Sequence, residues 1–161
     1  MLFRSRYSEN GGAGVYLGVH GDGDQYAGQT CSTNTMVANW QQESQGGWGG
    51  FGLEFSTPKD LSAYDGIRFW FKGNADRNGT IEFKLNSGSD IAHSAGAFSE
   101  DTSGVYVMKE FLFDDFAGLT PSAISKIVFA TVTGSGTGNV YIDGIEAFEE
   151  GDPRSEEHTS E

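Results

Sequence analysis

Two tryptophans stand where strand geometry would hold them away from a core. In Trp48-Gly49-Gly50-Phe51-Gly52-Leu53-Glu54-Phe55, alternation gathers Phe51, Leu53 and Phe55 on one face and Trp48, Gly50, Gly52 and Glu54 on the other. Trp48 then projects beside two glycines whose missing side chains leave a flat floor. In Ile67-Arg68-Phe69-Trp70-Phe71-Lys72 the polar row is Arg68, Trp70 and Lys72. In Thr80-Ile81-Glu82-Phe83-Lys84-Leu85-Asn86, Glu82 and Lys84 face outward. Outward aromatic rings among charged groups suit one kind of partner. Sugar rings stack their C–H faces on aromatics, while carboxylates, amides and cations bond the hydroxyls. Trp48, Trp70, Arg68 and Lys84 are therefore candidate ligand-binding residues, and Trp40 and Tyr26 are weaker ones.

Catalytic signatures are missing. Glycoside hydrolysis needs two carboxylates across a cleft, and no local motif sets such a pair apart among the 23 acidic residues. Neither a Gly-x-Ser-x-Gly elbow nor a P-loop occurs. The glycine-rich Gly134-Ser135-Gly136-Thr137-Gly138 leads into a strand, which suits a hairpin rather than a phosphate site. One cysteine, Cys31, excludes an internal disulfide. With three scattered histidines, it also argues against zinc. The expectation is a protein that binds and is not an enzyme.

Charge narrows the partner further. Ten basic residues stand against 23 acidic ones, a net charge of −13. Nucleic acid and anionic membranes both require clustered cations, so neither is expected. No apolar run approaches the ~20 residues that span a bilayer.

The elements that must hold these residues are strands. Besides the three segments above, Val105–Phe113, Ile127–Val132 and Val140–Phe148 alternate, and Val15–Val19 and Met36–Trp40 do so more weakly. Ile67–Lys72 and Thr80–Asn86, separated by a turn-rich stretch with Asn78-Gly79, read as a hairpin. Pro121–Lys126 reads as one short helical turn capped by Thr120. The 161 residues suffice for a single domain, an all-β antiparallel sandwich or barrel.

The stretch Asp60-Leu61-Ser62-Ala63-Tyr64-Asp65-Gly66-Ile67-Arg68-Phe69-Trp70-Phe71-Lys72-Gly73 resembles a signature of jelly-roll carbohydrate-binding modules, most nearly those of family 11. Tyr106–Phe116 resembles their aromatic strand and Val140–Ile145 their closing strand; the same core is similar to the complex I intermediate-associated protein sandwich. The resemblance implies a jelly roll over residues 1–150 and a ligand-binding role for Asp90. It also implies one structural calcium ion with Asp143 as a ligand. The family's opening acidic-aromatic strand has no counterpart here, so the domain is expected to lack its first strand. Gly47 stands where the family has a tyrosine before Trp48. Ala130 and Thr131 occupy a strand where it has another.

The expected function is a non-catalytic polysaccharide-binding module for β-glucan or a related plant or algal glycan. It would be appended to a larger secreted glycan-active protein, extracellular or at the cell surface. The alternative is a structural or assembly sandwich whose open edge accepts a partner strand. Whether Trp48 and Trp70 share one exposed sheet face separates the two. The tail Arg154–Glu161 resembles, residue for residue, one reading frame of a sequencing adapter. Residues 151–161 are thus expected to be a disordered tail outside the domain, His158 no ligand, and the chain of metagenomic origin.

Overall fold

The computed structural model describes the backbone of residues 6–11, 13–19, 25–26, 29–30, 36–42, 48–73, 79–131 and 136–151, and side chains within 51–73, 79–130 and 140–151. Its strands are β1 (Arg6–Gly11), β2 (Ala13–Val19), β3 (Gln25–Tyr26), β4 (Gln29–Thr30), β5 (Met36–Gln42) and β6 (Trp48–Lys59). They continue with β7 (Gly66–Lys72), β8 (Thr80–Ser87), β9 (Ile91–Ser99), β10 (Val107–Leu112), β11 (Ile124–Thr131) and β12 (Gly136–Phe148). Two single 3₁₀ turns, Phe113–Asp115 and Pro121–Ala123, are the only helical pieces among the described residues. Thr120 precedes the second without a capping side-chain bond.

A first sheet has the order β1-β6-β11-β8-β9 and a second β10-β7-β12-β5-β2; a two-stranded β3-β4 pair stands apart. All pairings are antiparallel. From β6 onward the chain passes repeatedly from one sheet to the other, the jelly-roll form of a β-sandwich. The apolar rows meet between the sheets. Phe51 and Leu53 of β6, Ile81, Phe83 and Leu85 of β8, and Ile127 and Phe129 of β11 face Ile67, Phe69 and Phe71 of β7. Phe69 is the hub, 5.1 Å from Phe83 and 5.0 Å edge-on from Phe129. Offset and edge-on aromatic pairs of this kind add to simple area burial.

That core corrects the two expected hairpins. β7 and β8 lie in different sheets, as do β11 and β12. Their apolar rows do point to one core, but from opposite sides, so each connection crosses the sandwich. Alternation fixes the face a residue takes, not its neighbour strand. A further strand, Ile91–Ser99, is not among those that alternation marks in the sequence. It forms an edge strand. Six of its nine residues are Ala, Ser or Gly, and only Ala95 and Phe98 pack against the core, so no hydrophobic alternation marks it.

Three register shifts interrupt the ladders among the described residues. They fall between Ile124 and Lys126 of β11, between Glu82 and Lys84 where β8 meets β9, and between Asp143 and Glu146 of β12. The region 151–161 lies outside the described residues beyond Gly151.

Candidate functional site

The outer face of the first sheet is built in rows. Register places Glu54 beside Lys126, and Lys126 beside Asn86. The next row is Gly52, Val128 and Lys84, and the next Gly50, Ala130 and Glu82. Small residues thus floor the middle of β6 and β11. Gly52 has a second reason to be glycine: a Cβ there would stand 1.9 Å from the Ile127 carbonyl oxygen. Close approach of two backbones demands the residue, and flatness follows.

One end of this face is a polar corner. β8 and β9 are joined by Gly88-Ser89-Asp90, since Ser87 pairs with Ile91. Asp90 Oδ1 accepts from Ser125 Oγ at 2.7 Å and from Asn86 Nδ2 at 3.2 Å. Asp90 Oδ2 lies 3.0 Å from Lys126 Nζ. The Ser125 hydroxyl, and then Lys126, hold the Asp90 carboxyl below the usual carboxylate range, although partial burial opposes them. Lys126 also approaches Glu54 at 3.8 Å, and Lys84 pairs with Glu82 at 3.1 Å. His93 leans away, its Nδ1 2.9 Å from the Ala117 carbonyl oxygen.

At the other end, Trp48 opens β6 opposite Gly11. Its side chain lies outside those described, as do those of Trp40 and Tyr26. The six-residue step from Trp48 to Glu54 spans about 20 Å of strand.

The second sheet's outer face is of another kind. Arg68 was expected to reach a ligand, and it is only 1% exposed. Its Nε donates to Glu146 Oε1 at 2.7 Å, its Nη1 stands 3.6 Å from Glu110, and its guanidinium lies 5.3 Å from the Phe148 ring centroid. Lys72 is buried too, 4.3 Å from the Tyr141 centroid and 5.0 Å from that of Tyr106. Trp70 is half-buried between Met108 and Asp143 in the register. Buried cations need such partners, because desolvation without them is costly. Arg68 is thereby corrected to a residue that ties β7 to β10 and β12.

The structure thus brings Lys84 and Asp90 onto one sheet, with Trp48 on its strand β6, and leaves Arg68 and Trp70 on the other. The two tryptophans do not share a face. Sequence reading missed Lys126, Ser125 and Asn86. Asn86 follows Lys84 by two positions on β8 and so takes the same face, but Lys126 and Ser125 reach Asp90 only through strand pairing.

Asp143 is buried, and its Oδ1 accepts from Gly144 N at 2.8 Å. Among the described residues no group of three or more carboxylate, imidazole or thiol side chains could hold a metal.

No protein-family model and no curated protein matches the sequence. Solved structures do match in three dimensions. A family 11 carbohydrate-binding module from Clostridium thermocellum, solved with a β-1,3-1,4-mixed-linked tetrasaccharide, is 17% identical, with a TM-score of 0.66 over 90% of this chain and 89% of that one. A family 30 module of a cellulosomal cellulase from the same organism is 19% identical, with a TM-score of 0.64 over 91% and 92%. An exo-β-agarase matches at 12% identity and 0.63, the likeness covering 86% of this chain and 22% of the enzyme. The chain is similar to these in fold.

Proposed function

We propose that this chain is a non-catalytic polysaccharide-binding module that takes a glycan along the outer face of its first sheet. One observation carries the reading: on that face Gly50, Gly52 and Ala130 lie between the start of β6 and the half-exposed carboxylate of Asp90, whereas Arg68 and Lys72 on the second sheet are buried. Lys84 flanks the path. Stacking on Trp48 supplies apolar contact, and Asp90 and Lys84 orient hydroxyls. The fold neighbours support the reading, since two are carbohydrate-binding modules and one is part of an agarase.

The glycan is neutral. Both lysines of the face already stand against carboxylates, and the whole chain carries −13, so sulfated or uronic polymers are repelled. Catalysis is not assigned. A glycosidase needs a protonated acid and an ionised carboxylate facing each other across a cleft, and no such pair is assigned. Attachment to a larger glycan-active protein, with an extracellular or cell-surface location, follows from this function.

The test is affinity electrophoresis of the full chain against soluble β-glucans, xylan, mannans and agar-type galactans, with and without calcium. Retardation by one neutral polymer, lost in Trp48→Ala, is expected. No retardation by any polymer, from a folded protein, would sink the reading.

Assembly by strand addition has two observations in its favour, the first being that Trp48 and Trp70 lie on strands of different sheets. The second is β9, a nine-residue sheet edge whose only titratable side chain is His93. Exposed edges normally carry protective charges. A monomer at high concentration, measured by light scattering, counts against assembly between copies of this chain.

A further inference from the structure

The polar corner concentrates two unfavourable features at one place. Asp90 has a φ of 63°, a left-handed conformation that aspartate tolerates and glycine adopts freely. Asn86 is 8% exposed, and its Oδ1 is buried with no hydrogen-bond partner. Its Nδ2 is committed to Asp90, 3.3 Å from the backbone oxygen and 3.2 Å from Oδ1. A fold that needed only a tight turn has easier solutions. Glycine already serves at Gly88, where φ is 62°, and a smaller residue at 86 would leave no orphaned oxygen. Buried unpaired acceptors and left-handed non-glycine residues persist mainly where function holds them.

We infer that Asn86 is a positioning residue, which fixes the Asp90 carboxylate over the first sheet so that it accepts a hydroxyl of the bound glycan. The inference rests on the polysaccharide reading above. A carboxylate offers about four acceptor positions. Ser125 and Asn86 occupy Oδ1 and Lys126 faces Oδ2, which leaves Oδ2 one further donor to take. The side chain is 51% exposed, so a ligand reaches it. That donor is a neutral hydroxyl, because a sulfate or carboxylate would bring only like charge.

The test compares the full-length wild type, Asn86→Ala, Asn86→Asp and Asp90→Gly against the neutral polymer that retards the wild type most. Thermal unfolding and the NMR titration of the Asp90 carboxyl carbon are measured alongside. Asp90→Gly is expected to unfold at or above the wild-type temperature and to lose about tenfold or more in affinity, the worth of a charge-assisted hydrogen bond. Asn86→Ala is expected to lose affinity several-fold and to raise the Asp90 titration midpoint. It should add nothing in an Asp90→Gly background, as residues acting through one another do. Asn86→Asp, which keeps the size but removes the donor, should lose affinity similarly. A folded Asn86→Ala or Asn86→Asp protein with wild-type affinity overturns the positioning role alone. A folded wild type that binds no polymer removes the polysaccharide reading and this inference with it.

Discussion

The two outer faces of the sandwich start from the same sequence device and end in opposite states. On β7, Arg68, Trp70 and Lys72 alternate with core residues; on β8, Glu82, Lys84 and Asn86 do the same. On the second sheet the cations are sealed in, Arg68 at 1% and Lys72 at 8% exposure. On the first sheet the side chains of Glu54, Asp90, Glu82 and Lys84 remain one-quarter to one-half accessible. Both faces pair cation with carboxylate. The pairs on the second are structural cement; those on the first are a surface that a ligand can meet. The alternation of a strand says which side a residue takes, and only the rest of the fold says whether that side is covered.

The contrast can be broken by substitution, and Arg68→Ala has the largest expected effect. It removes the guanidinium that pairs with the largely buried Glu146, and a loss of about 3 kcal/mol in urea-unfolding free energy is expected, with glycan affinity of the folded protein unchanged. Loss of affinity with stability kept would reverse the assignment of the faces. Gly52→Ala comes next. Its Cβ must push β6 from the Ile127 carbonyl, and a loss of about 2 kcal/mol, in the range of overpacked cores, is expected by the same assay.

Smaller effects sharpen the picture of the open face. Asp90 has its folded-state pKa lowered, so its contribution to stability is complete above its unfolded value of about 4 and is lost as pH falls below that. The stability gap between wild type and Asp90→Asn should therefore be constant at neutral pH and close on acidification below about pH 4. A gap that widens there contradicts the Ser125 and Lys126 contacts. Lys84→Ala should be smallest. Its ion pair is accessible and worth well under 1 kcal/mol, so polymer affinity measured by calorimetry should fall less than about fivefold.

Much of the fold was legible because its core strands are strongly patterned. Ile67, Phe69 and Phe71, and Ile81, Phe83 and Leu85, take the inward positions that period two assigns them. What stayed hidden has physical causes. β9 shows no alternation, because most of its residues are Ala, Ser or Gly and its apolar contacts with the core come from Ala95 and Phe98, three positions apart. Which strands pair is a long-range matter, so two crossings between sheets read as hairpins. The site was half legible. Lys84 follows from alternation and Asp90 from resemblance, but Lys126 stands 36 positions from Asp90 along the chain and meets it only through β8, β9 and β11. Arg68 looked available because a sequence does not show what lies above a residue.

The register shift between Ile124 and Lys126 has a consequence for how this chain can change. One uncompensated residue there sets the phase of everything downstream in β11. Deleting Ser125 would put Lys126 and Val128 in step with the core and turn Ile127 and Phe129 toward the outer face of the first sheet. The strand behaves like a coded message with a frame. Substitutions along it are local edits, while a single insertion or deletion at this point rewrites both the interior and the surface at once.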